Sequence, residues 1–477
     1  MKKSTMTGAA KLVAVTLAAL STGACMVGPD YKRPQLTQPD AFRAQLAPGE
    51  ASSFADLPWW EVFNDPALHA LIGEALTNNN DLVIAAARIE QARAQLGVSR
   101  SELYPQVGYG AEGGAQETLV PEPGSVDTVN YVSVGGFLNA AWELDIWGRI
   151  RRSNEAARAN LFAQEEVRRG VLLSLVSDVA AGYFRLLRLD RELAIAEESS
   201  ATYKRTLDLF TLRFEGGRDS RLPSERARAS YESSTARVAD IQRQIAQQEN
   251  ALSILVGGYP RAIERGLPLT RQTLPETPVG LTTDLLRRRP DIRRAEQEMI
   301  RANAEIGVAV ANFYPRIGLS TLLGGFGVDG AGNINGSFGV WNILGSLAAP
   351  LFTGGRLESI YDERRAFWDE SVAQYRQTIL VAFRETSDAL VAQQRLAERR
   401  RALEAEVAAR RAAVELANVR YREGRATYFE VIEAEQQLFP AEDALAEVQQ
   451  AQLAETVNLY KALGGGWQLQ GNWARPG

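Results

Sequence analysis

A chain of 477 residues, 45% of them hydrophobic, is long enough for roughly three ordinary domains, and its mean hydropathy of -0.20 excludes a bundle of membrane helices. Its 53 Lys and Arg against 58 Asp and Glu give a net charge of -5, with no basic stripe interleaved with aromatics, so nucleic acid is excluded as a partner. One His, one Cys, no phosphate-binding Gly-Lys-Ser/Thr loop and no nucleophile elbow argue against an enzyme and point to no cofactor and no metal.

Residues 1–24 have the layout of an export signal: Lys2 and Lys3, an apolar run from Leu12 to Leu20, then Ser21-Thr22-Gly23-Ala24 before Cys25. A lone Cys directly after such a run resembles a bacterial lipobox, in which that residue is lipidated and becomes the mature N-terminus. Removal of the signal takes away Lys2, Lys3 and Lys11 and no acid, leaving 50 basic against 58 acidic side chains, a charge of -8. From Met26 to about Asp65 the chain is Pro-rich and predicts an extended run over the surface. Two amphipathic helical stretches follow, the first after Asp65-Pro66 and the second from Asp81. His69 lies on the first, where a structural role is expected.

From Val132 to Asp145 the side chains alternate, with Val132, Val134, Gly136, Leu138, Ala140, Trp142 and Leu144 on one face and Ser133, Asn139, Glu143 and Asp145 on the other. Period two predicts a strand, and the apolar-outside, polar-inside division suits one that separates lipid from water. After Ile146-Trp147-Gly148 the period becomes helical. Leu175, Val179, Leu186, Leu189, Leu193, Ala196, Tyr203, Leu207, Phe210 and Phe214 follow steps of four and three, and no Pro interrupts Arg149 to Phe214. One helix over that range spans on the order of 100 Å, too long for a compact domain and too polar to cross a membrane.

The whole unit recurs. Asn80-Asp81-Leu82 to Tyr104-Pro105 is matched 210 residues later by Pro290-Asp291-Ile292 to Tyr314-Pro315, and Gly148-Arg149, Gly217-Arg218 and Gly257-Gly258 reappear 207 residues on as Gly355-Arg356, Gly424-Arg425 and Gly464-Gly465. The three-residue difference falls where a hairpin loop would lie, and the strand register persists through Trp341, Ile343, Leu347, Ala349 and Leu351. The second helical seam runs through Ala382, Ala389, Leu396, Leu403, Val407, Val414, Ala417 and Tyr421, with Thr386, Gln393, Arg400 and Arg410 as polar interruptions. This is an internal duplication. It predicts repeats at 66–258 and 290–466, a Pro-rich linker at 259–289 around the waist, and a tail at 467–477.

Cys25 with Gly28-Pro29-Asp30-Tyr31, Pro58-Trp59-Trp60, Arg288-Arg289-Pro290-Asp291-Ile292-Arg293, the paired Tyr-Pro motifs and the Gly-Gly endings resemble the TolC-type outer-membrane efflux factors, in their lipoprotein (OprM/NodT-like) branch. The resemblance covers essentially the whole mature chain. It implies a membrane β-barrel joined to a long α-helical barrel, with four strands per chain contributing to a trimeric 12-stranded barrel above a periplasmic helical tunnel. It also implies a homotrimer anchored in the outer membrane, with outer-membrane lipid, a periplasmic adaptor protein and an inner-membrane pump of RND or MFS type as partners. Independently, four strands cannot close a barrel and open edges are not tolerated in lipid, so copies of the chain must associate.

Residue by residue, the resemblance assigns adaptor docking to the hairpin tips at Gly217-Arg218 and Gly424-Arg425. It assigns a channel constriction to Phe429, an apolar ring, and Glu433, an acidic ring one helical turn on. Arg221 and Pro223 replace acidic residues common in the family, and Pro440 predicts a kink. The expected function is a passive duct for drugs or other small toxic compounds. A duct for metal ions or secreted polypeptides stays open, as does a non-conducting lipoprotein scaffold.

Overall fold

The computed structural model describes residues 26–35, 63–122, 124–273, 288–330 and 336–465. The elements are, in chain order, α1 (Pro66–Asn78), α2 (Asn80–Ser101), β1 (Gln106–Glu122), β2 (Ser125–Leu144), α3 (Arg149–Glu215), α4 (Arg221–Leu255), α5 (Pro290–Ala311), β3 (Arg316–Gly330), β4 (Gly336–Ala348), α6 (Arg356–Arg422) and α7 (Tyr428–Ala462). Three pairs of helices repeat to the residue: α2 and α5 have 22 residues each, α3 and α6 have 67, and α4 and α7 have 35.

The chain divides into two compact units, each drawing on both repeats. The first comprises Met1–Gln35, Arg88–Glu165 and Arg294–Arg376 and holds the sheet. Its four strands are all antiparallel in the order β1-β2-β3-β4. Pairing Tyr109 with Leu138, Leu138 with Leu323, and Leu323 with Trp341 puts these four side chains in one row on one face. Val107, Val134, Ile343 and Leu347 share that face, and all eight are exposed, Tyr109 to 88%. The opposite face carries Gln116, Ser133 and Asn139, with Phe137 lying over Gly110 and Gly324, and Phe326 over Gly135. A Cβ at any of those three glycines would sit 2.5 to 2.6 Å from the ring or its Cβ, so the aromatics replace the side chains the glycines lack.

Two sequence expectations change here. The strand expected to run to Phe352 stops at Ala348, two residues before Pro350, which has no N–H to continue a ladder. Leu351 and Phe352 consequently stand 100% and 92% exposed. Glu143, expected as a lumen group, is instead gripped by Arg149, whose Nε and Nη2 donate at 2.9 and 3.0 Å.

Asp145 caps the start of α3, accepting from the backbone N–H of Ile150 and Arg151 at 3.0 and 2.9 Å. α2 packs on α3 through Ile89, Ala92, Leu96 and Leu161. The segment after Cys25 lies against this unit: Val27 N–H donates to Trp147 C=O at 3.0 Å, and Asn303 Nδ2 donates to Pro29 C=O at 2.8 Å. Arg152, fully buried, reaches Asp30 at 2.7 Å and Glu155 at 2.8 Å. Gly28, at φ 89°, presses so closely on α5 that a Cβ there would meet Gly307 Cα at 2.5 Å.

The second unit comprises Leu36–Ala87, Glu166–Arg293 and Gln377–Gly477. Its core is densest on α3, where an 18-residue window is apolar enough for a membrane span yet is 56% buried. Val179, Tyr183, Phe184 and Leu186 are among the residues fully enclosed there, and burial of one such side chain contributes about 1.5 to 3 kcal/mol. Asp65 anchors the entry: a buried N-cap carboxylate, it accepts from Ala67 N–H, Tyr183 Oη, Leu267 N–H and Gln272 Nε2 at 2.7 to 3.1 Å. His69 is structural too, its ring on the Phe63 carbonyl.

The polar interruptions of the α6 seam are satisfied rather than solvated. Thr386 is buried because its hydroxyl donates to Ala382 C=O at 2.9 Å, while Arg400 and Arg410 reach Gln452 and Gln437 of α7. Pro440 lies inside α7, which runs on through it, and Pro223 occupies the first turn of α4, where a missing N–H leaves no partner short. The tail at 467–477 and linker residues 274–287 lie outside the described residues, as do Trp59 and Trp60.

Candidate functional site

The two hairpin tips in the second unit end their helices by the same device. At the first, Gly217 (φ 66°) donates its N–H to Phe214 C=O at 2.9 Å and Arg218 donates to Arg213 C=O at 2.8 Å; at the second, Gly424 (φ 72°) donates to Tyr421 and Arg425 to Arg420, at 3.0 and 2.8 Å. This double bond pattern is a Schellman closure, which turns the chain with a left-handed residue where only Gly is unstrained. Arg218 and Arg425 are both exposed. Arg213 pairs with Asp219 at 2.8 Å and stiffens the first turn.

Phe429 and Glu433 lie one turn apart at the start of α7, both exposed. Phe429, 45% exposed, leans on Phe210 of α3 with ring centroids 6.2 Å apart. Its neighbour Tyr428 fixes that position: the ring meets Phe210 edge-on at 5.6 Å and Tyr421 at 4.9 Å, and its hydroxyl bonds Thr206 Oγ1 at 3.0 Å. Leu207, Phe210 and Ala227 form the apolar cluster beneath, with Tyr428 and Ile432 packed on it. The two hairpins are thus joined near their tips through α7, which sets where Phe429 projects. Sequence reasoning missed Tyr428; the signal was its position directly before Phe429, opposite the seam residue Phe210.

Glu435 was also unread. It lies two residues past Glu433, half-buried, and its Oε2 has no hydrogen-bond partner. Burial pushes its carboxyl up to about 7, opposed by the charge of Arg205. Cys25 lies outside the described residues, although the chain immediately after it is placed. Among the described residues no group of three or more His, Cys, Asp or Glu is arranged to hold a metal ion.

The sequence matches the family described as outer membrane efflux protein over residues 71–258 and 281–465. It is 34% identical to the cation efflux system protein CusC of Escherichia coli O6:H1 over 462 residues, covering 96% of this chain and 99% of that one. It is 36% identical to the solvent efflux pump outer membrane protein SrpC of Pseudomonas putida over 466 residues, covering 95% and 98% respectively. The solved structure of the outer-membrane channel OprN superposes with a TM-score of 0.83 at 31% identity, covering 93% of this chain and all of that one.

Proposed function

Because this chain belongs to the outer membrane efflux protein family, we propose that it is the passive exit duct of a tripartite efflux system, assembled from three copies and lipid-anchored at Cys25 in the outer membrane. The observation that carries this reading is the sheet. It has one apolar exposed face, two unpaired edges in β1 and β4, and too few strands to close. Backbone groups at such edges cost several kcal/mol each in lipid, so the edges are paired by neighbouring copies. Leu351 and Phe352, exposed just past the β4 edge, suit the same contact.

In this account α3, α4, α6 and α7 form the periplasmic tunnel wall. Phe429 and Glu433 form two rings across its far end, one excluding water by bulk and one repelling its own copies by charge. Gly217-Arg218 and Gly424-Arg425 present paired basic tips to a periplasmic adaptor, through which an inner-membrane pump of RND or MFS type supplies energy. Relatives named for cations and for solvents match over nearly the whole chain at 34% and 36% identity, so one duct design serves chemically unlike cargo. Selection therefore sits in the pump, and drugs or other small toxic compounds are the cargo proposed here.

Purified full-length protein in mild detergent should have the mass of three chains by light scattering, and photo-crosslinkers at positions 218 and 425 should capture an adaptor in cells. A stable water-soluble monomer with no affinity for detergent would overturn the reading.

A further inference from the structure

A cavity of about 540 Å³ opens in the first unit where the first hairpin meets its helices. Leu103 and Tyr104, just ahead of β1, form one side, and Arg151, Asn154 and Arg158 on the first turns of α3 form another. Arg100 closes it from the end of α2, and Met26 borders it. Three guanidinium groups therefore converge on one space. Arg151 is committed to Asp145, at 3.2 Å, whereas Arg100 and Arg158 are exposed and have no carboxylate partner among the described residues. Glu155, the one acid in the lining, is neutralised by Arg152 at 2.8 Å.

Asn154 contributes to the wall from α3. It is more than nine-tenths buried, its Nδ2 donates to Ser99 C=O and Ile150 C=O at 3.2 and 2.9 Å, and its Oδ1 lies beneath the accessible surface, so the polar groups the cavity offers a ligand are the guanidinium groups.

The corresponding positions of the other repeat carry a different set, although Arg158 is matched by Arg365. Arg100, Arg151 and Asn154 correspond to Val310, Glu358 and Tyr361, and the counterpart of Tyr104 is Tyr314, stacked on Trp147 at 4.8 Å. Tyr104 is left 67% exposed. The cationic cavity occurs on the side of the duplication where Met26, the residue after Cys25, also lies.

The geometry points to a binding site for the phosphodiester headgroup of a phospholipid from the periplasmic leaflet, one per chain, next to the acylated N-terminus. Arg100 and Arg158 take the phosphate with charge-assisted hydrogen bonds. Leu103 and Tyr104 accompany the first part of the acyl chains, Tyr104 as an interfacial aromatic. The assignment rests on the outer-membrane placement proposed above, which puts the ends of β1 and β2 at headgroup depth.

The test is native mass spectrometry of the full-length acylated protein extracted from outer membranes in mild detergent, followed by titration with phosphatidylglycerol, phosphatidylethanolamine and, separately, inorganic phosphate. Wild type should keep one phospholipid per chain, and Arg100→Gln with Arg158→Gln should weaken its retention about tenfold or more. Arg158→Glu, a single exposed change, should do the same if the double variant misfolds. Arg365→Gln, at the corresponding position of the other repeat, should retain lipid as wild type does. Equal retention in all variants, or displacement of the lipid by inorganic phosphate alone, overturns the site. Absence of the wild-type protein from the outer-membrane fraction would instead indict the placement on which the site rests.

Discussion

At the first hairpin tip, α3 closes through Gly217 and α4 begins with Arg221, whose guanidinium pairs with Glu225 at the surface at 2.8 Å. At the second, α6 closes through Gly424 by the same two backbone bonds, but α7 begins with Tyr428, which locks onto Thr206, Phe210 and Tyr421. The backbones repeat while the side chains do not. Duplication has kept the geometry that places a residue and let the chemistry at that place diverge. The proposed constriction lies in one repeat and the cationic cavity in the other, each because a scaffold position shared by both carries a different side chain.

Substitutions at matched positions can break this comparison. The largest difference is expected at Gly97 and Gly307, partners in the repeat. Around Gly97 a Cβ would meet nothing within 4 Å, whereas at Gly307 it would lie 2.8 Å from the Arg152 side chain. Gly307→Ala should destabilise the protein by about 1 to 3 kcal/mol through overpacking, and free the Val27–Asp30 segment to proteolysis. Gly97→Ala should be neutral or stabilising by about 0.5 to 1 kcal/mol, since it removes a helix-interior Gly. Thermal melts followed by helical circular dichroism would check both; equal losses would mean that the repeats do not differ there.

A second pair is Glu435 and its counterpart Arg228, which is exposed beside Glu225. The Glu435 carboxyl is raised in the folded state, so the folded protein holds a proton that the unfolded chain releases at lower pH. Stability from this group is therefore full near pH 4.5 and is lost as pH rises through about 7. Glu435→Gln should raise the melting temperature at pH 8 and leave it unchanged near pH 4.5, an effect of about 1 kcal/mol once partial solvation is allowed for. Arg228→Gln should show no such dependence.

A third pair is Tyr428 and Arg221. Tyr428→Phe removes one neutral hydrogen bond, at a cost of about 1 kcal/mol, and should loosen the tip enough to raise basal conductance. Arg221→Ala removes an exposed ion pair, at about 0 to 0.5 kcal/mol, and should leave conductance as it was.

Much of the scaffold could be read before any coordinates. The two periods, two in the strands and near 3.6 in the helices, are local signals, and their recurrence at a fixed offset marked Arg149 and Arg356 as helix starts. Gly217 and Gly424 were legible because a left-handed closure demands Gly. What could not be read depends on contacts across the chain. Glu143 alternates like a lumen residue, but Arg149 folds back onto it. Thr386, Arg400 and Arg410 read as breaks in a seam, yet their partners lie on the same helix or on α7. Tyr428 and Glu435 take their character from α3, more than 200 residues away in sequence. Phe214, a seam residue by spacing, is left 42% exposed one residue before the end of α3.

The central claim is a bore shared among copies and pinched at Phe429 and Glu433. Single-channel recording of the purified full-length protein in planar bilayers tests it most directly, with Phe429→Ala/Glu433→Ala set against the matched change Leu222→Ala/Arg226→Ala. The account predicts small, infrequent openings for wild type, a several-fold larger and long-lived conductance for the first variant, and wild-type behaviour for the second. Silence from all three in bilayers shown to contain the inserted protein would contradict it.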